Sequence, residues 1–257
     1  MPVGLGGEQG WWCPTLDDSP DDISGNGNNG TYQGGMGTVA DTGSGGTRAY
    51  SFDGTNDNLT TPYADTAITA SGVFSYSLWV EYGSVAATSG LMSGSVQTGN
   101  VAVCTFFDTY SSARGHHGLL NPGVGGQYSG RTFGGDRDSI VVSQWYHISY
   151  TGDGSTARLY KDGVEIGNAP FGLFSSSAWL NPLTLGCFYT GSSPGTKASF
   201  LNGKMDDCRI YSRTITPTEI THLATARGVL GGPGSDGYNA FTSAIYNPRN
   251  YNNTRFG

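Results

Sequence analysis

The chain has 257 residues, of which 42 are glycine and only 13% are charged, and its formal net charge at pH 7 is −7. This length suits one domain with a sizeable core, and abundant glycine at such low charge is typical of a turn-rich β protein. With 13 lysines and arginines, the chain lacks the dense basic patch that nucleic-acid binding requires. We therefore expect no nucleic-acid partner.

We expect no membrane span either, since no segment approaches the run of about 18 apolar residues that a transmembrane helix needs. The N-terminus also lacks the basic and apolar regions of a signal peptide. Export without a cleaved signal, a sequence that starts within a longer protein, and assembly in the cytoplasm all remain open.

The N-terminal third contains three strand signals separated by polar turns. A short aromatic strand over residues 10–13 leads into an Asn/Gly-rich loop, and a second strand over residues 48–52 ends in the turn 53–57. Residues 73–81 alternate cleanly, with four large apolar side chains on one face: Phe74, Tyr76, Leu78 and Val80. This third segment is predicted to be a central strand.

The segment from residue 83 to residue 138 has the least regular pattern. Residues 101–107 form a strand candidate, and a loop-rich run follows. Because loops carry most individual binding functions, we place ligand binding here. The candidate ligand-binding residues are Tyr110, His116, His117 and Tyr128.

Two hairpins follow between residues 144 and 167. Tyr146, Ile148 and Tyr150 alternate with polar residues, which predicts a strand with one buried face. The return strand over residues 157–161 ends at Asp162-Gly163, a dipeptide that favours a two-residue type I′ turn. The segment therefore predicts an antiparallel meander without crossover helices.

The C-terminal part contains two more strands, a helix and an arm. The strands are predicted over residues 183–189 and 203–211. Thr216, Pro217 and Glu219 predict a capped helix start, and Gly228 predicts the stop after Arg227. We therefore divide the chain into a domain, residues 1–227, and an arm, residues 228–257.

The arm has neither strand nor helix periodicity, but it is rich in aromatic residues, which a disordered tail is not. We expect it to become ordered against either its own domain or a neighbouring subunit. Its candidate partner-binding residues are Tyr238, Phe241, Tyr246, Tyr251 and Phe256.

Several segments together resemble laminin G-like domains of the concanavalin A-like lectin/glucanase superfamily. The resemblance is carried by Trp145-x-His147, by the run DGSTARLYKDG that starts at Asp153, and by three further segments near residues 12–30, 51–57 and 202–211. It implies an all-β, two-sheet antiparallel jelly-roll sandwich with a short C-terminal helix. It also implies a structural calcium ion held by Asp206, with Asp53 and Asp207 beside it. Alternatively, Asp206 and Asp207 pair with Arg209 or Arg48.

The same resemblance raises the question of catalysis, because glucanases of this superfamily use paired carboxylates on alternate residues of one strand. The chain has only four glutamates, and none stands two or four residues from another acid in a strand: Glu8, Glu81, Glu165 and Glu219. Asp136 and Asp138 are flanked by Gly and Arg and predict a solvated turn. We therefore predict that the protein is not an enzyme.

The four cysteines, Cys13, Cys104, Cys187 and Cys208, lie among strand-like residues. Their wide spacing fits neither a zinc site nor a CxxC redox motif, and their strand-like surroundings favour buried free thiols over disulfides.

Taken together, these features predict a non-catalytic surface module. The leading hypothesis is a virion component, a phage capsid decoration or fibre-associated protein, which contacts other subunits through the arm and forms a homo-oligomer. The alternative is a glycan-binding, lectin-like adhesion domain at a bacterial surface or in the extracellular medium.

Overall fold

The computed structural model describes residues 4–64, 71–97, 100–108, 115–120, 132–133, 136, 139–170, 181–189 and 196–231. These residues form two antiparallel sheets packed face to face, a two-stranded hairpin and a short helix. The prediction of an all-β, two-sheet sandwich is therefore confirmed. No helix among these residues is long and apolar enough to cross a membrane.

The described strands are short to medium in length and follow one another through turns. In chain order they are β1 (Glu8–Trp12), β2 (Thr31–Gln33), β3 (Gly37–Ala40), β4 (Arg48–Asp53), β5 (Asn58–Thr60), β6 (Val73–Tyr82), β7 (Ser89–Gln97), β8 (Asn100–Asp108), β9 (Gly115–Leu120), β10 (Thr132–Phe133), β11 (Trp145–Asp153), β12 (Thr156–Lys161), β13 (Val164–Pro170), β14 (Asn181–Leu185), β15 (Phe188–Tyr189), β16 (Lys197–Ala198) and β17 (Asn202–Tyr211). The helix α1 spans Pro217–Leu223.

The larger sheet has the order β13-β12-β11-β6-β17-β4-β3, with β1 also paired to β17. The smaller sheet has the order β10-β9-β8-β7-β14-β5-β2, and β15 pairs with β16 in a separate hairpin. Strand β6 lies between β11 and β17, so its predicted central position is confirmed.

The main hydrophobic core lies between the inner faces of the two sheets. The four apolar side chains predicted to share one face of β6 are all 0% exposed. They belong to one buried cluster with Leu59 and Leu185 of the smaller sheet and Tyr150 of β11. Alternate residues of each strand thus supply the core, as expected for two packed sheets.

The central hairpins have the predicted geometry. The backbone φ angles of Asp162 and Gly163 are 51° and 82°, the positive values that a type I′ turn requires. His147 and Asp162 fix the turn against β11, since the Asp162 N–H donates to the His147 carbonyl at 2.8 Å and the His147 N–H donates to Asp162 Oδ1 at 2.9 Å.

Helix α1 begins as predicted but ends earlier. Thr216 and Glu219 form a reciprocal capping box, with Pro217 in the first turn. The prediction that the helix runs to Gly228 is wrong, because it ends at Leu223 and the chain turns there. The Thr225 hydroxyl donates to the His222 carbonyl at 2.7 Å, which satisfies an acceptor at the helix end.

The residues that follow the helix pack against the outer face of the larger sheet. Val229 is 0% exposed and joins a second apolar cluster with residues of the helix and of the sheet: Tyr160, Tyr211, Ile215, Ile220 and Leu223. The Gly228 N–H donates to Asp207 Oδ2 at 3.0 Å. The packed part of the chain therefore extends to Gly231, past the predicted boundary at residue 227. The five aromatic residues of the predicted arm lie outside the described residues.

Candidate functional site

Two consecutive carboxylates, Asp206 and Asp207, lie at a bulge of β17 and are both buried. Asp207 forms a bidentate ion pair with Arg209, whose Nε and Nη2 donate at 2.8 and 2.9 Å. This matches one of the alternatives drawn from the sequence. Arg48, the other arginine considered, pairs with Asp18 at 2.6 Å.

Asp206 has an arginine partner that the sequence did not indicate. Nη1 of Arg227 lies 3.3 Å from Asp206 Oδ2, while its Nη2 donates to Asp41 Oδ1 at 2.9 Å. The Thr15 hydroxyl also donates to Asp206. Burial raises the pKa of Asp206 to about 6; the negative charge of Asp207 adds to this effect, whereas Thr15 and Arg227 oppose it.

These residues, as arranged, do not fit a calcium ion. The oxygens of Asp206 and Asp207 are bound by arginines and N–H groups, and a cation would have to displace them. Asp53 lies opposite Asn202 at the start of β17, roughly 13 Å along the strand from Asp206. Within the described ranges, no group of three or more His, Cys, Asp or Glu side chains is placed to hold a metal. The calcium site implied by the resemblance therefore stays an untested prediction that this arrangement of residues does not support.

His116 connects the two sheets inside the core. Its Nε2 lies 2.8 Å from the Tyr82 hydroxyl on β6, and its Nδ1 lies 2.8 Å from Asp136 Oδ2. Lys161 Nζ lies 3.1 Å from the same oxygen. Burial by itself raises the pKa of Asp136, but the hydrogen bonds and charge of His116 and the charge of Lys161 outweigh it and hold that pKa well below 3.8. The His116 side chain is 0% exposed, so its contacts are internal ones.

The other residues predicted to bind a ligand are less completely described. His117 is buried and lies opposite Phe106 and Phe133 in the smaller sheet. Tyr110 and Tyr128 lie outside the described residues. Ligand binding by these four residues therefore stays a prediction.

A second pair of carboxylates, Asp41 and Glu81, shares one lysine. Lys204 Nζ donates to Asp41 Oδ2 at 2.7 Å and to Glu81 Oε1 at 2.9 Å. Burial raises the pKa of Asp41, but its contacts with Lys204, Gly43 and Arg227 lower that pKa by more, so the net shift is downward. Glycoside hydrolysis requires one carboxyl group with a raised pKa as proton donor, and Asp41 has the opposite shift.

The outer face of the smaller sheet, in contrast, carries a row of hydroxyl groups. Thr60 on β5 lies opposite Thr31 on β2 and Thr184 on β14, and Thr184 lies opposite Ser93 on β7. Residues directly opposite each other in antiparallel strands share a face. Leu59, next to Thr60, points into the core, so this row points outward. Thr184 and Ser93 are buried, whereas Thr31 is exposed and Thr60 is half-buried.

Lys197, on the β15–β16 hairpin, lies over the accessible end of this row. Its Nζ donates to Asn58 Oδ1 at 2.7 Å and to Thr60 Oγ1 at 2.8 Å, and it lies 5.9 Å from the centre of the Tyr189 ring. Burial lowers the pKa of Lys197 from its ordinary value. Gln33, opposite Asn58, is exposed beside it. We call these residues the Lys197 patch: Thr31, Gln33, Asn58, Thr60 and Lys197.

Sequence reasoning did not single out the Lys197 patch. The triplets at residues 31–33 and 58–60 each place an apolar residue between two polar ones, a pattern that indicates a strand with one polar face. That signal was available, although the triplets are short. Lys197 had no comparable signal, since its partners Asn58 and Thr60 come from a strand far earlier in the chain.

The fold and its outer faces define a concanavalin A-like sandwich, and comparison of the sequence with family models gives its family. A model described as the concanavalin A-like lectin/glucanases superfamily matches residues 53–221. The chain therefore belongs to this superfamily, and the resemblance seen in the sequence is confirmed. No curated protein matches the chain in sequence.

Solved structures with similar folds include domain 4 of AbnA, an extracellular arabinanase from Geobacillus stearothermophilus, in complex with arabinotriose. It is 18% identical with a TM-score of 0.57, and the match covers 87% of this chain and 100% of that one. The receptor-binding domain of botulinum neurotoxin C/D mosaic serotype is 11% identical with a TM-score of 0.60, over 85% of this chain and 51% of that one.

A structure of botulinum neurotoxin type C, whose cell entry depends on interaction with two ganglioside molecules, is 11% identical with a TM-score of 0.60 over 85% of this chain. The present chain spans about half the length of both toxin chains, 51% in each case. At these identities, the likeness shows the fold alone.

Proposed function

We propose that this protein is a non-catalytic glycan-binding module and that the Lys197 patch is its binding surface. The observation that carries the proposal is the contrast between the two outer faces. On the larger sheet, α1 and residues 224–231 cover the outer face around Tyr160 and Tyr211, whereas the smaller sheet presents amide, hydroxyl and ammonium groups at the β2–β5 edge. Such groups match the hydroxyl-rich surface of a sugar.

Two neighbours support this proposal by analogy of fold. The arabinanase domain binds arabinotriose, and the neurotoxin interacts with gangliosides, both of which contain sugars. Neither neighbour contributes site residues to the argument, which rests on the geometry of the Lys197 patch. An extracellular location is consistent with this function and belongs to the same proposal. The virion role and the homo-oligomer depend on the predicted arm, and they stay predictions.

The proposal is tested by glycan-array screening followed by titration calorimetry with the best ligands. The double variant Thr31→Val/Gln33→Ala removes exposed hydrogen-bonding groups from the patch. Because a net hydrogen bond contributes about 0.5–1.5 kcal/mol, we expect an affinity loss of roughly three- to tenfold or more. The matched control, Asn168→Ala, changes a polar strand residue of the larger sheet. An equal loss in both variants, or no glycan binding by the parent protein, would refute the proposal.

A further inference from the structure

Lys197 differs from the other basic residues in the described part of the chain. Each of the other arginines and lysines there lies within ion-pairing distance of a carboxylate. Lys197 alone has only neutral partners, the side-chain oxygens of Asn58 and Thr60. In a chain with more acidic than basic residues, a half-buried cation without a carboxylate is unusual.

The hydrogen bonds of Lys197 leave one donor for a ligand. An ammonium group carries three hydrogens, and two of them are donated to Asn58 and Thr60. Thr60 in turn donates its hydroxyl hydrogen to Asn58 Oδ1 at 3.1 Å, so both acceptors are held in place. The Tyr189 ring lies beside the ammonium without accepting a conventional hydrogen bond. The third hydrogen therefore has no acceptor among the described residues, and the side chain is only half-buried.

The ligand chemistry follows from the charge. A partly desolvated ammonium with one remaining donor gains most from an anionic acceptor, since charge-assisted hydrogen bonds are about twice as strong as neutral ones. The exposed side chains of Thr31 and Gln33 suit the hydroxyl groups of a sugar. The protein has a net charge of −7, which disfavours a polyanion but not a ligand with a single charge.

Building on the proposed glycan-binding function, we infer that Lys197 binds the carboxylate of an acidic sugar, and that the Lys197 patch selects acidic over neutral glycans. Sialic acids and uronic acids both present such a carboxylate. The inference concerns this shared chemistry, and the choice between the two sugar classes is made by the experiment.

Two ligand pairs test the inference by calorimetry. Sialyllactose is compared with lactose, and galacturonate is compared with its methyl ester, which keeps the sugar and removes the single charge. We expect the acidic member of one pair to bind at least about tenfold more tightly than its neutral counterpart, the contribution of one hydrogen bond to a charged group. The pair that shows this difference identifies the sugar class.

Variants of Lys197 then test whether this side chain causes the preference for the acidic ligand. Lys197→Gln should remove the preference for the acidic ligand, whereas Lys197→Arg should keep much of that preference. Arg158→Gln is the matched control, because it makes the same change in net charge on the larger sheet, and it should leave the preference unchanged.

The possible failures are distinguishable. If neutral and acidic sugars bind equally well to the parent protein, the inference is overturned while the proposed function stands, whatever the variants do. If the acidic preference survives in a folded Lys197→Gln variant, the inference is overturned as well. If no sugar of either kind binds, the proposed function fails and the inference fails with it.

Discussion

Replacing Arg209 by methionine should be among the most destabilising single substitutions in this protein. The Arg209 side chain is 0% exposed and that of Asp207 is 2% exposed, so the ion pair between them is fully desolvated. The guanidinium also donates to the Val229 carbonyl at 2.6 Å and lies 4.0 Å from the centre of the Trp11 ring. Methionine keeps an unbranched apolar stem, and it removes the charge and the donors.

The expected loss in the free energy of unfolding follows from the Asp207 carboxylate, which stays buried without its arginine. Removing one partner of a buried ion pair typically costs about 3–5 kcal/mol, because the other charge stays buried without compensation. Asp207 retains two donors, Trp11 Nε1 at 2.6 Å and the Gly228 N–H at 3.0 Å, which favours the lower end of that range. At about 2–4 °C per kcal/mol for a domain of this size, the Tm should fall by roughly 6–12 °C.

The measurement is urea unfolding followed by tryptophan fluorescence, with thermal melting as a second readout. The control is Arg158→Met, which breaks an ion pair with Asp153 whose side chains are 34% and 33% exposed. Exposed pairs contribute only about 0–1 kcal/mol. The double variant Asp207→Asn/Arg209→Met should be more stable than Arg209→Met, since it also removes the carboxylate that Arg209→Met leaves unpaired. Equal losses for the two arginines, or no recovery in the double variant, would refute this reasoning.

Two further predictions concern the dependence of stability on pH and on calcium. The pKa of Asp136 is depressed in the folded protein, so its contribution to stability is present above its ordinary pKa of 3.8 and is lost as the pH falls below it. Asp136→Asn should therefore be less stable than the parent protein at neutral pH. In thermal melts from neutral pH to pH values below 3.8, its Tm should fall less than that of the parent protein. The second prediction concerns calcium. Because Arg209 pairs with Asp207 and Arg227 pairs with Asp206, we expect a chelator to leave the Tm unchanged. A site saturated at about 100 times its Kd would add about 2.7 kcal/mol, and a Tm rise of several degrees with calcium would contradict this arrangement.

Local patterns were sufficient for much of the fold. The alternation of β6 and the Asp162-Gly163 turn each depend on neighbouring residues only, and both were predicted correctly. The capping box at Thr216 is equally local, and it fixed the start of the helix. The end of the helix was not predictable in this way, because Arg227 fits a helical spacing and yet turns away to bind Asp41, which lies 186 positions earlier in the chain.

The candidate site was harder to predict for the same reason. Lys197 is an isolated lysine in the sequence, and its meaning depends on partners 139 and 137 positions away. A long-range contact of this kind has no periodicity that a sequence window can detect. The carboxylates at residues 206 and 207 show the reverse problem, since the family resemblance implied a metal site there and the sequence did not locate Arg227, which pairs with Asp206.

The distribution of charge between the two outer faces is the strongest reason to place binding on the smaller sheet. On the larger sheet, the described buried carboxylates are matched by arginines or lysines, and the helix packs on an apolar cluster of the outer face. Carboxylates that are already matched in this way would have to lose an arginine or a lysine before they could bind a ligand. Lys197 is desolvated without such a match, so its environment costs stability that a carboxylate ligand would recover. An acidic ligand that stabilises the protein through Lys197 should therefore raise the Tm of the parent protein by more than it raises the Tm of Lys197→Gln.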